Sequence, residues 1–153
     1  RIAIIAGDSE YSVTHERMRG ALKALHDAGL QLAGEARFGP WEAEWGRAAA
    51  RLLLNDGAAF DAVICQNDVL ARGEELERNG CRVPQDVAVI GHDNSPDYVS
   101  YAHPLLTSID DNNEMLGRQA ALCLLDAIAG HPHHGVERVP VKLIQRESTL
   151  PLD

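Results

Sequence analysis

The sequence predicts a doubly wound α/β fold, in which a mostly parallel sheet carries flanking helices. Short apolar runs alternate with segments of helical spacing along the chain, which is typical of this fold class. The first run, Arg1 to Ala6, is too short for a helix and lacks the alternation of a half-exposed strand, so it indicates a strand covered on both faces. Two later runs end abruptly in carboxylate and carboxamide residues, as expected at the carboxyl ends of parallel strands.

Each element is bounded by spacing and by turn residues. Between Ser12 and Gly29 the apolar residues Met18, Leu22 and Leu25 lie three or four positions apart, which predicts a helix with Gly29 as its C-cap. The other predicted elements, in chain order, are a strand at 32–38, a helix at 42–55, a strand at 62–65, a helix at 69–79, a strand at 87–90, an extended segment at 106–109, a helix at 113–129 and a strand at 138–145. The segment 92–104 is predicted to be a long loop, which favours a functional role.

Size and charge limit the classes of partner. A chain of 153 residues suits one domain with a sizeable core. It carries 14 Lys and Arg against 23 Asp and Glu, a net charge of −9, and no basic cluster. Surfaces that bind nucleic acid need clustered cations to displace counterions from phosphates. We therefore expect this chain not to bind DNA by itself.

Cysteine usage and hydropathy bear on the cellular setting. The three cysteines, Cys65, Cys81 and Cys123, lie far apart and form no Cys-x-x-Cys pair, which favours free thiols in a reducing cytoplasm. No run of 18 apolar residues exists, so we expect no membrane span. The chain begins at Arg1 and enters a strand within one residue, so we expect a fragment whose N-terminal part is missing.

Asn67 and Asp68 follow the predicted strand at 62–65 and are candidate ligand-binding residues. An asparagine offers both donors and acceptors, which suits a ligand rich in hydroxyl groups. The alternative is that one of them caps the helix beginning near Val69. For Asp68 we favour the cap or an interface role, whereas for Asn67 the ligand and cap interpretations remain equally open.

Asp93 and Asn94 follow the strand predicted at 87–90. A carboxylate at a strand's carboxyl end can accept hydrogen bonds from neighbouring hydroxyls of a ligand, and its charge strengthens them. The alternative is an Asx turn before Ser95-Pro96. We favour the ligand role for Asp93 and the turn for Asn94.

Trp41 and Arg17 complete the candidate site. Trp41 follows Gly39-Pro40 at a junction between strand and helix, where its face could pack on the C–H side of a pyranose or on a nucleobase. Arg17 could donate paired hydrogen bonds to hydroxyls or to a carboxylate. The alternative for Trp41 is a large hydrophobe without a ligand role, and an arginine such as Arg17, taken alone, is more often a solvated surface residue. Trp45, inside the next helix, is predicted to belong to the core.

The sequence offers little support for catalysis or for a cofactor. It contains no Gly-x-Ser-x-Gly elbow, no Walker A loop, and no Gly-x-Gly-x-x-Gly after the first strand. His131, His133 and His134 lie in a Pro/Gly turn without a neighbouring cysteine or carboxylate in the sequence, which favours a solvated loop over a metal site. We therefore predict no catalytic residue, cofactor or metal, although a small enzyme using Asp93 as a base remains an alternative.

Short motifs follow one another in order along nearly the whole chain. They are Arg17-Met-Arg-Gly20, Trp41 with Gly46, Asn67-Asp68-x-x-Ala71-x-Gly73, Val83-Pro-x-Asp86-Val87, Gly91-x-Asp93, Pro104-Leu-Leu-Thr107, Leu116-Gly117-x-x-Ala120 and Arg146-Glu-Ser-Thr149. In order and spacing they resemble the effector-binding domain of the lactose/galactose repressor (LacI/GalR) family. The family often has Phe or Tyr followed by Asp-Asp where this chain has His92-Asp93-Asn94, so the match holds at Asp93.

The resemblance implies a specific organisation. Members of the family have an N-terminal helix-turn-helix domain and a two-lobed core similar to periplasmic sugar-binding proteins, with effector bound between the lobes of a dimer. By this resemblance residues 1–110 form the second lobe, 111–130 a helix that packs on a first lobe, and 131–153 the return strand and tail. Arg17, Trp41, Asn67 and Asp93 match positions that contact effector. The loop from Ser9 to Thr14 matches one that selects the ligand.

The leading hypothesis is the effector-binding and dimerisation part of a cytoplasmic bacterial transcriptional regulator. It would sense a small molecule, with a sugar or sugar derivative favoured because Trp, Arg, Asn and Asp together suit a polyol with one apolar face. Its partners would be a second copy of the chain and, through the missing helix-turn-helix domain alone, operator DNA. The alternative is a periplasmic-type solute-binding protein of a transporter. The apolar side of the helix at 111–130 would lack its usual cover in this fragment, which favours association or rearrangement.

Overall fold

One six-stranded sheet organises the chain. The computed structural model describes residues 1–57, 59–71 and 74–149. The strands are β1 (Ile2–Ala6), β2 (Arg37–Phe38), β3 (Ala62–Cys65), β4 (Ala88–His92), β5 (Thr107–Asp110) and β6 (Lys142–Ile144). The helices are α1 (Ser12–Asp27), α2 (Ala43–Asn55), α3 (Glu74–Arg78), α4 (Pro96–Val99) and α5 (Asn113–Ile128).

The sheet has the order β2-β1-β3-β4-β5-β6. Its first five strands are parallel neighbours, and β6 pairs antiparallel with β5. The predicted doubly wound, mostly parallel fold is therefore confirmed. Because the chain moves outward from β1 in both directions, the topological switch point lies between β1 and β3, and ligands of such sheets bind at the carboxyl ends of these strands.

Helices cover both faces of the sheet. Side chains of β1 alternate between the faces, so that Ile4 packs with Met18 of α1 whereas Ile5 packs in the cluster that contains Leu53 of α2. Ile4 and Leu53 are each 1% exposed. Burial of such a side chain stabilises the fold by about 2 kcal/mol, so the two clusters hold the strand ends in place.

Several elements are shorter than predicted. The segment 32–38 contributes only β2 and an isolated bridge between Ile2 and Leu32, because Gly34 has a φ of 80° and interrupts the strand. The segment 138–145 is a strand only over β6; Pro140 precedes it and lacks a backbone N–H. The helix predicted at 69–79 is seen as α3, whereas residues 72 and 73, including Gly73 of the family motif, lie outside the described ranges, as do tail residues 150–153.

The segment 92–104 and the first helix agree more closely with the sequence. The long loop contains only the four-residue α4, which has Pro96 at its start, where a missing N–H costs nothing. Helix α1 ends at Asp27, and Gly29 beyond it has a φ of 69°, the left-handed conformation expected of a C-terminal cap.

Helix α5 has an apolar side that no part of the described structure covers. None of its residues is buried. Leu124, Leu125 and Ile128 are 62%, 61% and 74% exposed. A helix with this much exposed apolar surface is typical of one that packs on another unit.

Candidate functional site

Polar contacts join the ends of β1 and β3 at the switch point of the sheet, and we call the residues around them the candidate site. Gly7 follows β1 and Gln66 follows β3, and the Gly7 N–H donates to Oε1 of Gln66 over 3.2 Å. The Gln66 amide nitrogen donates to the Thr14 carbonyl of α1 over 3.0 Å. Gln66 is 3% exposed, so it fixes the ends of β1, β3 and α1 relative to one another. No sequence pattern singled out Gln66, although it directly follows a buried strand.

Trp41 lies against the end of β1. Two of its ring carbons, Cε2 and Cζ2, are 2.2 Å from the position that a Cβ atom on residue 7 would take. Only a glycine therefore allows the indole to lie here. Trp41 remains partly exposed at the edge of the core, as a residue that offers an apolar face to a ligand must. Trp45 instead donates its indole N–H to the Ala6 carbonyl over 3.0 Å and packs on the core, as predicted.

Arg17 is the charged centre of the candidate site. Its Nη1 donates to the backbone carbonyl of Gln66. Its Nη2 lies 3.2 Å from Oδ1 of Asp93 and 3.4 Å from Oδ2 of Asp111. The Arg17 side chain is 20% exposed, so it is not the solvated surface residue that its position on a helix would suggest. The structure thus brings two predicted site residues, Arg17 and Asp93, into direct contact.

Asp93 adopts an unusual backbone conformation. Its φ is 99°, a region that residues with a side chain rarely enter, and strain of this kind is concentrated at functional sites. The Asp93 N–H donates to the Ile109 carbonyl over 2.9 Å, which fixes the turn between the ends of β4 and β5. Burial raises the pKa of Asp93, while the charges of Arg17 and His92 lower it. The side chain is nevertheless 38% exposed and open to a ligand.

Asn67, not Asp68, makes the capping-type hydrogen bond after β3, which the sequence had left open for Asn67 and favoured for Asp68. Asn67 Oδ1 accepts the Leu70 N–H over 2.9 Å, so Asn67 closes the turn after β3 and Asp68 is not the cap. Asp68 accepts hydrogen bonds from the Ser95 N–H over 2.8 Å and from the Ser108 hydroxyl over 2.5 Å. The Asp68 carboxylate fills the space left by the missing Cβ of Gly91, which commits it to the contacts with Ser95 and Ser108.

The ligand role of Asn67 stays a prediction. It is 8% exposed, and its amide nitrogen has no hydrogen-bond partner within the described ranges. A donor therefore remains for a ligand at the end of β3. Asn67 adjoins Gln66, whose carbonyl binds Arg17 and whose side chain binds Gly7 beneath Trp41. All four predicted site residues thus lie around the carboxyl ends of the central strands or in contact with them.

Asp111 and His92 are site residues that the sequence reasoning missed. His92 Nε2 lies 2.6 Å from Oδ1 of Asp111, whose other oxygen faces Arg17. Asp111 directly follows β5 as Asp93 follows β4, so the same rule of polar residues at strand ends would have found it. Asn94 has a φ of 50° and accepts a hydrogen bond from Arg146 over 2.7 Å, which confirms its structural role in the turn.

This acidic cluster is unsuited to a metal ion. Ligand atoms of His92, Asp93 and Asp111 lie within 4.8 Å of one another. The Arg17 guanidinium already forms ion pairs with both carboxylates. A cation entering between them would meet this fixed positive charge at close range. The arrangement is therefore suited to a ligand that hydrogen-bonds with both an arginine and a carboxylate, which describes a polyhydroxyl compound.

Comparisons with known proteins identify the family. The model of the periplasmic binding protein-like domain matches residues 1–149. The transcriptional repressor CytR of Escherichia coli K12 is 36% identical over 99% of this chain and 46% of its own length. The chain belongs to the LacI family. The transcriptional regulator CelR of Thermobifida fusca is similarly close, at 37% identity over 97% of the chain and 44% of its own length.

Solved structures of LacI-family proteins share the fold. A lac repressor dimer bound to operator and the anti-inducer ONPF has a TM-score of 0.92 at 30% identity, over 99% of this chain and 46% of that one. The complex of CelR with cellobiose has a TM-score of 0.84 at 35% identity, over 97% and 46%. The chain thus spans less than half of the curated relatives it matches. These relatives are transcriptional repressors or regulators and not enzymes, in agreement with the prediction that this LacI-family chain is not an enzyme.

The length and hydropathy of the helices bear on whether any of them could span a membrane. Within the described ranges, none is long and apolar enough to cross a membrane.

Proposed function

We propose that this chain is the effector-binding and dimerisation part of a cytoplasmic bacterial transcriptional regulator. The observation that carries the proposal is the Arg17 guanidinium, held by Asp93 and Asp111 at the carboxyl ends of the strands and close to the residues that support Trp41. Relatives named as transcriptional repressors favour this function over the alternative of a transporter's solute-binding protein.

The effector is a sugar or sugar derivative. Arginine and carboxylate together recognise adjacent hydroxyls, and an indole face packs on the apolar side of a pyranose. Support comes from the cellobiose complex of a relative with 35% identity. Within the described site, two carboxylates surround the single guanidinium of Arg17, which disfavours anionic ligands such as sugar phosphates.

The chain works as one lobe of a larger core. Residues 1–110 supply half of the effector site, the helix at 111–130 packs on the other lobe, and 131–153 are the return strand and tail. The exposed apolar side of α5 and the match to less than half of the relatives' length support this division. Operator DNA binds a separate helix-turn-helix domain, because this acidic chain has no basic cluster. Effector regulates DNA binding by favouring one arrangement of the lobes in a homodimer.

A thermal-shift screen of the full-length protein tests the proposal. The panel contains neutral sugars, sugar phosphates and purines, and each hit is repeated with Asp93→Asn. Asparagine tolerates the positive φ of this position, so the variant removes charge without new backbone strain. A ligand that binds the folded state raises the melting temperature. A neutral sugar whose shift is lost in the variant supports the proposal, whereas no hit from the whole panel contradicts it.

A further inference from the structure

A second cluster of chemically reactive side chains lies outside the effector site, on the surface of α5. Cys123 and Asp126 are on the helix, and His133 and Glu137 are on the segment that follows it. Cys123 Sγ lies 3.5 Å from Oε2 of Glu137, and His133 Nε2 lies 2.8 Å from Oδ2 of Asp126. One ligand atom from each of Cys123, His133 and Glu137 lies within 4.8 Å of the other two.

We propose that Cys123, His133 and Glu137 form a zinc site. A thiolate, an imidazole and a carboxylate are the three ligand types that zinc takes in proteins. Tetrahedral zinc with bonds of about 2.0 to 2.3 Å requires ligand atoms about 3.5 Å apart, so rotations of these surface side chains close the site. Softer and harder metals are less well matched by a mixed set of sulfur, nitrogen and oxygen.

The electrostatics of the cluster favour a cation. No lysine or arginine in the described structure forms an ion pair with Glu137 or Asp126; the partner of Asp126 is His133. The carboxylates of Glu137 and Asp126 place negative charge beside Cys123 and His133. The same charges attract Zn²⁺, which binds the thiolate while the thiol proton passes to solvent. Zinc with one thiolate and one carboxylate is then electrically neutral.

The cluster also has the supporting contacts of a metal site. Gln119, one turn before Cys123, donates to Oε1 of Glu137 over 2.6 Å and so orients the carboxylate. Asp126 holds the His133 ring, and a carboxylate paired with a ligating imidazole is a common arrangement around zinc. These contacts are independent of the effector site, because Cys123 is about 15 Å along the helix from Asn113 at its start.

The histidines of the turn at 131–134 look isolated in the sequence because no cysteine or carboxylate is adjacent to them, but the fold brings both to His133. Helical spacing places Cys123 and Asp126 on one side of α5, and the returning segment brings His133 and Glu137 against them. His131 and His134 do not take part in the cluster, which makes them suitable controls. Bound zinc would join α5 to the segment that leads into β6.

Cobalt binding by the full-length protein, after removal of any affinity tag, tests the site. Co²⁺ occupies zinc sites and gives a thiolate-to-metal charge-transfer band only when a cysteine is a ligand. We expect this band on titration with Co²⁺ and its loss when Zn²⁺ is added. Cys123→Ser should abolish the band, and His133→Ala and Glu137→Gln should weaken cobalt affinity by about tenfold or more. Cys81→Ser and His134→Ala should leave band and affinity unchanged.

The outcomes separate a metal site from a chance surface cluster. Glu137→Gln retains the thiol and the shape of the side chain, so it reports on ligation even if Cys123→Ser perturbs the helix; circular dichroism checks the fold of each variant. The proposal is overturned if wild-type protein gives no charge-transfer band. A band that survives Cys123→Ser, or that disappears equally with Cys81→Ser, overturns it as well.

Discussion

The six-membered ring of Trp41 lies directly on Gly7, with Cε2 and Cζ2 2.2 Å from where a Cβ would be. Gly7→Ala must therefore displace the indole, and we expect effector affinity to fall about fivefold, because an aromatic face contributes of the order of 1 kcal/mol to such contacts. Trp41 fluorescence in a Trp45→Phe background measures the displacement, and ligand titration measures the affinity. Gly20→Ala is the matched control, since nothing lies within 4 Å of its added Cβ. Equal effector affinity for Gly7→Ala and wild type would contradict the role of Trp41.

Substitution of Arg17 tests the polar half of the candidate site. Arg17→Ala removes charge-assisted hydrogen bonds worth about 1.5 to 3 kcal/mol each, so we expect effector affinity to fall by about tenfold or more. Arg19→Ala, which removes an exposed arginine from the same helix, should bind effector as the wild type does. Calorimetric titration of both variants makes the comparison. If the two variants bind equally well, Arg17 supports the fold and does not contact the ligand.

We expect the ionised Asp93 carboxylate to lower the free energy of unfolding at neutral pH, although it serves effector binding. Its pKa is raised in the folded state, mainly by burial, so folding favours the protonated form. The stability that this provides is present at low pH and is lost as pH rises through the raised pKa. We expect Asp93→Asn to melt at a higher temperature than wild type at pH 7, with the difference shrinking below the ordinary pKa of about 4. Melting curves across this range are the measurement, with the exposed Glu16→Gln as control. A variant less stable than wild type at pH 7 would show that Arg17 outweighs burial.

The apolar side of α5 predicts how the isolated chain behaves. Leu124 and Ile128 lie one turn apart and are largely exposed, so we expect residues 1–153 alone to associate. Leu124→Lys with Ile128→Lys should lower the sedimentation mass of the isolated chain. The same pair should destabilise the full-length protein by about 3 kcal/mol or more, because it places charges in a covered interface. Leu22→Lys, at an exposed position of α1, controls for a general effect of added charge. An unchanged sedimentation mass would show that the isolated chain associates through a surface other than α5.

The fold class could be predicted from local sequence patterns, but the ends of the elements and the order of the strands could not. Period and turn residues located every strand of the sheet, because buried parallel strands are short apolar runs. The predicted ends of elements were wrong where a single residue overrides the pattern, as Gly34 does within the second predicted strand. The strand order and the position of the switch point depend on contacts between distant parts of the chain, and no local pattern carries them.

The site was predicted in part for the same reason. Asp93 was found because it follows a strand, and Arg17 through the resemblance to a family. Their contact joins residues 76 positions apart, and Asp111 is 94 positions from Arg17, so only the folded sheet brings the three together. The sequence left the cap open between Asn67 and Asp68 because both residue types cap helices, and the space beside Gly91, which the Asp68 carboxylate fills, is visible only in the fold.

Asp68 has a consequence for how the effector would be recognised. The Asp68 carboxylate accepts hydrogen bonds from the Ser95 N–H, in the turn after β4, and from the Ser108 hydroxyl of β5. The backbone N–H of Asp68 donates to the His92 carbonyl. The loops that carry Asp93 and Asp111 are thereby fastened to β3 before any ligand arrives. The entropy of ordering these loops is lost when the protein folds and not when a ligand binds. Under the proposed function, the free energy of effector binding would then be available to move one lobe relative to the other.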